Sequence, residues 1–228
     1  RCPKVVLDGG WIHRLLSSEY CKKKLGMLKT IVCTGGIGSG KSYFVKVLQK
    51  MGVPVYFSDQ RAKELYSLDK QLARELAVLL GEDIFEDGLL RKEIMASKIF
   101  SDSTLLAEVN KLVHPKVLVD FDHWRNERKK NRDTLVVLES AIYFETPIFH
   151  SVPDIVVVVS APEELRVKRV MERDGIPEHR VRERMALQCS EEERLSGADF
   201  VIFADGKRAV LPQAYNLLSR CGFFDKSI

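Results

Sequence analysis

The sequence predicts an α/β protein built on a doubly wound parallel sheet of about five strands, with helices on both faces. Three observations carry this expectation. Continuous runs of β-branched and aliphatic residues, such as 135–138 and 155–159, lack the polar alternation of a half-exposed strand. Segments with apolar residues at every third or fourth position lie between such runs. A glycine-rich turn joins the first run to the first helical segment, and regular alternation of strand and helix is the mark of a parallel sheet. The 228 residues are 45% hydrophobic and 30% charged, which suits one globular unit with a large core. No apolar run approaches the ~20 residues that a membrane span requires.

Taken in order, Lys29–Thr34 reads as a buried strand. After it comes Gly35-Gly36-Ile37-Gly38-Ser39-Gly40-Lys41-Ser42, which fits G-x-x-x-x-G-K-[ST] at every fixed position. Residues 43–51 carry helical spacing, and Gly52 is a stop signal. Residues 53–57 form a second strand that ends at Ser58 and Asp59. Residues 60–80 repeat Ala62, Leu65, Leu68, Leu72, Leu76 and Leu79 at helical spacing. Glu86-Asp87-Gly88 is a turn signal. Residues 91–131 read mainly as helix and end in a charged run, most simply a solvated helix end. Strands follow at 135–138 and 155–159, charged helices at 163–174 and 178–195, a last strand at 200–203 and a last helix at 207–221.

Residues 1–26 stand apart. They carry the whole net charge of +4, and the remainder is neutral in sum, so the bulk charge gives no sign of a nucleic-acid partner. They lack the apolar stretch of a signal peptide. Met27 is expected to begin the enzyme module, with residues 1–26 an extension of unknown role, disordered or weakly packed. The five cysteines are odd in number and scattered, as expected of free thiols in a reducing cytoplasm.

The glycine motif carries the clearest chemistry. Strand, glycine loop and helix let backbone N–H groups curl around a triphosphate while the helix N-terminus adds partial positive charge. Gly35, Gly36, Ile37, Gly38, Ser39, Gly40, Lys41, Ser42 and Tyr43 are therefore the expected nucleotide-binding segment for ATP, with Lys41 on the β- and γ-phosphates and the Ser42 hydroxyl on Mg²⁺. Asp59 follows a strand and suits either a base that accepts a proton from an acceptor hydroxyl or a helix N-cap; the two roles are compatible. Glu139 ends an apolar strand, the Walker-B pattern that holds Mg²⁺ directly or through water, although many strands end in an acid. Arg166, Arg169 and Arg173 share one face of a predicted helix, and Arg180, Arg182 and Arg184 follow. They read either as a flap that neutralises transition-state charge or as a solvated helix with Glu/Arg pairs. No guanine-specificity motif Asn-Lys-x-Asp is present.

Taken together, these residues resemble the dephospho-coenzyme A kinase family over roughly residues 27–220. The resemblance rests on Thr34 and the glycine loop, Asp59 followed by Ala62-Lys63, Asp87-Gly88, Ile99-Phe100 and Leu112-Val113-His114-Pro115. It continues through Phe144-Glu145, Arg169 with Arg173-Asp174, Gln188 with Arg194, and Ala198-Asp199 before Val201-Ile202. It implies a P-loop kinase core (27–59, 133–162 and 186–228), a helical acceptor-binding insert (60–132) and an Arg-rich lid (163–185). The implied reaction is transfer of the ATP γ-phosphate to the ribose 3′-hydroxyl of dephospho-coenzyme A, the last step of coenzyme A synthesis. Asp59 would be the base, Lys41 the phosphate clamp, and Arg169 and Arg173 the lid cations. His114, Glu145 and Gln188 would bind the acceptor. The sequence departs from the family pattern at Phe57, Tyr43, Ala141-Ile142-Tyr143 and Ala204. A cytoplasmic monomer or small homo-oligomer with no nucleic-acid or membrane partner is expected. The rival readings are another P-loop kinase, for a nucleoside monophosphate or small alcohol, and a P-loop switch protein.

Overall fold

A computed structural model of the chain describes residues 28–86, 89–100 and 102–224. The expectations for residues 1–26 and Met27 lie outside them. The architecture is a five-stranded sheet in the order β2–β5–β1–β6–β7, formed by β1 (Lys29–Thr34), β2 (Val55–Phe57), β5 (Leu135–Glu139), β6 (Ile155–Ser160) and β7 (Phe200–Phe203). Every pairing in it is parallel.

The strands have no polar face because both faces are covered. Side chains alternate across a strand, and here they sort into two cores. Ile31, Cys33, Val137, Val157 and Val159 pack on one side with α1 (Lys41–Lys50) and α9 (Val210–Arg220). Val32, Leu138, Val156 and Val158 pack on the other side. There they meet α2 (Ser58–Leu68), α3 (Lys70–Leu80), α4 (Lys92–Phe100) and α5 (Ser103–Lys130). Val109, Val113, Val117 and Phe121 recur every fourth residue and form the buried stripe of the 28-residue α5. A two-stranded antiparallel piece, β3 (Phe85–Glu86) with β4 (Leu89–Leu90), flanks these helices. Asp87 and Gly88, between the two strands, lie outside the described residues.

Three helix expectations change. The 60–80 pattern is two helices, because the Asp69 carboxylate accepts from the N–H groups of Gln71 (2.9 Å) and Leu72 (3.0 Å) and so starts α3 afresh. The 178–195 segment is also two helices, α7 (Glu178–Ala186) and α8 (Glu191–Gly197). Ser190 and Glu193 form a capping box that opens the second. The last helix begins at Val210, and Asp205 accepts from the N–H groups of Lys207 and Arg208 just before it. With α6 (Glu163–Asp174), α7 forms a small apolar unit in which Val167, Val170 and Val181 pack with Ile37 of the glycine loop. Among the described residues, no helix is long and apolar enough to cross a membrane.

Candidate active site

The site is built at the carboxyl ends of the parallel strands, the edge where open α/β sheets bind ligands. Residues 35–40 leave β1 and turn into α1. Gly38 and Gly40 have φ of 77° and 93°, in the left-handed region that a side chain disfavours. A Cβ on Gly38 would also run into the Arg166 backbone. Ser39 is 1% exposed, and its Oγ has no hydrogen-bond partner among the described residues. No side chain caps the N-terminus of α1, leaving a loop whose backbone N–H groups suit an anion.

Lys41 is nearly buried and forms an ion pair with Glu139. Glu139 is the register partner of Cys33 on β1 and of Phe57 on β2, so it stands between the loop and the second strand. Burial pulls the Lys41 pKa down and Arg173 pushes the same way, while Cys33 and Asp59 oppose them. The fully buried Cys33 thiol is pushed up to about 12 by burial.

Asp59 lies inside the first turn of α2; the N-cap position belongs to Phe57 and carries no side-chain cap. The N-cap reading of Asp59 is therefore corrected: Ser58 already has helical geometry directly after β2. Asp59 is exposed; its charge opposes the lowering that burial imposes on Lys41 and His114 and adds to the raising that burial imposes on Tyr66. It also lines a cavity of about 500 Å³ formed between the insert helices and residues 140–149. The cavity is lined by Asp59, His114, Tyr66, Asn110, Ser140 and Phe149, among mainly apolar neighbours. The His114 ring lies 5.9 Å from Phe149, and burial lowers the His114 pKa against the pull of Asp59.

The arginine-rich segment packs down onto the loop rather than standing free. Arg166 is 4% exposed and donates from Nε to the Ile37 carbonyl (3.0 Å). Arg169 donates to the carbonyls of Ala204 (2.7 Å) and Gly38 (3.3 Å), so its guanidinium ties the loop to the end of β7. Arg173 is held by Asp174 (2.7 Å), which also binds Arg184 (3.0 Å). The solvated-helix alternative fails for Arg166 and Arg169 and holds for Arg180 and Arg182, whose partners are exposed glutamates.

Two expected acceptor residues lie elsewhere. Gln188 Oε1 accepts from the N–H of Ile37 (2.8 Å), and Glu145 Oε1 accepts from the N–H of Cys189 (2.9 Å). Their side chains fasten the 187–190 segment to the loop and to the 141–146 turn, and neither lines the cavity. Sequence reasoning missed Ser140, which directly follows Glu139 and carried the same strand-end signal. It also missed Glu191, whose carboxylate accepts from Arg166 (3.2 Å), Arg194 (2.9 Å) and the Ser160 hydroxyl (2.6 Å). No local pattern announces a residue that pairs with side chains 25 and 31 positions away.

The donor types fit a nucleotide with a hard cation. The buried, unpartnered Ser39 hydroxyl suits a phosphate oxygen, and Ser42 and Glu139 offer the oxygen donors that Mg²⁺ takes. Among the described residues there is no cluster of three or more His, Cys, Asp or Glu that would hold a metal alone.

A family model described as "CoaE: Dephospho-CoA kinase" matches residues 29–209. A dephospho-CoA kinase of Bacteroides fragilis (strain YCH46) is 40% identical over 186 residues, spanning 82% of this chain and 89% of the relative. That of Porphyromonas gingivalis is 40% identical over 190 residues, 83% and 92% of the two chains. The crystal structure of TT1252 from Thermus thermophilus superposes with a TM-score of 0.72 at 31% identity, covering 84% of this chain and 96% of that one. The fold is also that of a dephospho-CoA kinase from Campylobacter jejuni, with a TM-score of 0.65 at 20% identity over 87% of this chain and all of that one.

Proposed function

The chain belongs to the dephospho-CoA kinase family, and from that premise we propose how its own residues carry the reaction. It transfers the γ-phosphate of ATP to the ribose 3′-hydroxyl of dephospho-CoA, giving ADP and CoA. One observation carries the reading: Asp59 lines a large, mostly apolar cavity shared with the insert, and its charge acts on the P-loop lysine. An acceptor seated there presents its hydroxyl to that carboxylate, while the lysine holds the phosphates of ATP.

In this scheme the acceptor hydroxyl loses its proton to Asp59 as its oxygen attacks the γ-phosphorus, and the bond to the β-phosphate oxygen breaks to release ADP. Lys41 leaves Glu139 for the β- and γ-phosphate oxygens, whose combined negative charge is greater. The loop cradles the phosphates through N–H groups other than those of Ile37 and Ser39, which already donate to Gln188 and Gly36, and Ser39 Oγ finds its partner there. Ser42 and Glu139 would hold Mg²⁺, which supplies charge neutralisation between the phosphates. Arg173 adds positive charge that Lys41 feels, and Arg169 acts by holding the loop against β7. His114, kept neutral by burial, packs against the acceptor. Residues 60–132 act as the acceptor-binding insert and 163–185 as the lid. The free thiols Cys33, Cys189 and Cys221 support a reducing compartment, the cytoplasm.

The test is ATP-to-ADP turnover with Mg²⁺, with and without dephospho-CoA, beside a panel of nucleoside monophosphates. ADP release that requires dephospho-CoA and yields CoA supports the reading. Release driven by a nucleoside monophosphate, or by no acceptor, overturns it.

A further inference from the structure

Among the described residues, the cavity lining includes one buried side-chain polar atom without a hydrogen-bond partner. Ser140 is fully buried, lines the cavity beside Asp59, and its Oγ has no hydrogen-bond partner among the described residues. Its backbone is spoken for, since its N–H donates to the Cys33 carbonyl at 3.1 Å. A buried hydroxyl without a partner costs about 1–3 kcal/mol. A small apolar residue would avoid that cost, so the hydroxyl is either a liability or a contact made with a ligand.

Its position favours a ligand contact. Phe57 on β2 pairs with Glu139 on β5. Ser58-Asp59 and Ser140 therefore leave neighbouring parallel strands, about 4.8 Å apart, at the same level of the sheet. Side chains alternate along β5, and Leu138 packs under the insert, so Ser140, two residues on, faces the same side. A carboxylate and a hydroxyl from neighbouring strand ends thus belong to the lining of one cavity. The acceptor offers a matching pair, because the ribose 3′-hydroxyl has a cis 2′-hydroxyl on the adjacent carbon.

We propose that Ser140 is a specificity-determining residue whose hydroxyl binds the ribose 2′-hydroxyl of the acceptor, so that the enzyme selects ribose over 2′-deoxyribose and directs the 3′-oxygen to Asp59. The proposal rests on the acceptor reading above. It assigns Ser140 no part in bond making. Ser140 donates to or accepts from the 2′-oxygen, and the reacting proton still goes to Asp59.

The test compares dephospho-CoA with its 2′-deoxyribose analogue as acceptors for the wild type, Ser140→Ala and Ser140→Thr. The wild type is expected to favour the ribose substrate in kcat/KM by roughly tenfold, the scale of one hydrogen bond to a partner otherwise left unpaired. Ser140→Ala is expected to lose that advantage, with kcat/KM for dephospho-CoA falling to within about twofold of the value for the analogue. Ser140→Thr keeps the hydroxyl and is expected to retain preference for ribose. Thermal unfolding of each variant separates this from damage to the fold, since removing an unpaired hydroxyl should not lower Tm. Equal use of both acceptors by the wild type overturns the proposal. So does an undiminished ribose preference in Ser140→Ala, or a loss of equal factor on both acceptors. Failure of the wild type to phosphorylate dephospho-CoA at all is a different result: it sinks the acceptor reading, and the Ser140 assignment with it.

Discussion

Glu191→Ala is the perturbation whose consequence the structure sets most sharply. Arg166 and Arg194 are the two buried arginines among the described residues, each with a side chain 5% exposed, and both donate to the same Glu191 oxygen. The second Glu191 oxygen takes the Ser160 hydroxyl. Alanine here leaves two guanidinium groups close together with their common counter-charge gone. Breaking a buried ion pair from one side costs about 3–5 kcal/mol. Glu191 is itself 31% exposed, so water reaches part of the gap and the lower end, about 3 kcal/mol, is the expectation. For a chain of this size that is a fall in Tm of roughly 6–12 °C. The damage should also reach the nucleotide, because Arg166 holds the Ile37 carbonyl and a Cβ on Gly36 would meet both guanidinium groups. Thermal unfolding with and without ATP and Mg²⁺ reads both effects. Glu191→Gln, which keeps the acceptor oxygen without the charge, should fall between wild type and alanine. A Glu191→Ala protein that melts within about 2 °C of wild type would refute the reasoning, because the two arginines would then not depend on that carboxylate.

Three other outcomes follow from the site. Asp59→Asn should lower turnover by about 10²-fold or more while ATP affinity stays near wild type, as read by steady-state rates beside nucleotide titration; turnover within a few-fold of wild type would remove Asp59 from the chemistry. Gly38→Ala combines a φ of 77° with a collision against the Arg166 backbone, so it should cost more than 1 kcal/mol of stability and weaken ATP binding at least tenfold, and unaltered ATP affinity would contradict the loop geometry. His114 has a pKa held below its usual value near 6.5, first by burial. The unfolded chain then binds more protons at this position, so the stability contribution is present above the usual value and is lost as pH falls through the folded one. Urea midpoints measured from pH 7.5 downward should drop less steeply for His114→Gln than for wild type, and identical slopes would show that His114 does not carry the linkage.

Much of the architecture was legible in the sequence because it rests on short-range pattern. Continuous apolar runs at 135–138 and 155–159 announced strands buried on both faces, and the two cores on either side of Val156 and Val157 are what that pattern requires. The glycine loop was legible because left-handed backbone at Gly38 and Gly40 leaves few residue types to choose from. Asp59 and Glu139 were found for a related reason: a polar residue just past an apolar run stands at the sheet edge. Helix breaks were harder, since Asp69 interrupts an unbroken apolar repeat with hydrogen bonds made by one side chain.

What tertiary structure alone decided is partnership. The charges of Arg169 and Arg173 were visible, but only the fold sends Arg169 to the Ala204 carbonyl and leaves Arg173 on Asp174. Gln188 and Glu145, expected among the acceptor-binding residues, fasten a loop, because the folded chain brings Ile37 and Cys189 within their reach. Ser140 was one more small residue at the end of a strand until the insert closed over it and left its hydroxyl buried without a partner. Local sequence sets backbone conformation and which face is apolar, since both follow from neighbours a few residues apart. A buried polar atom's partner is set by contacts across tens to hundreds of residues, and those exist only once the cores on both sides of the sheet have formed.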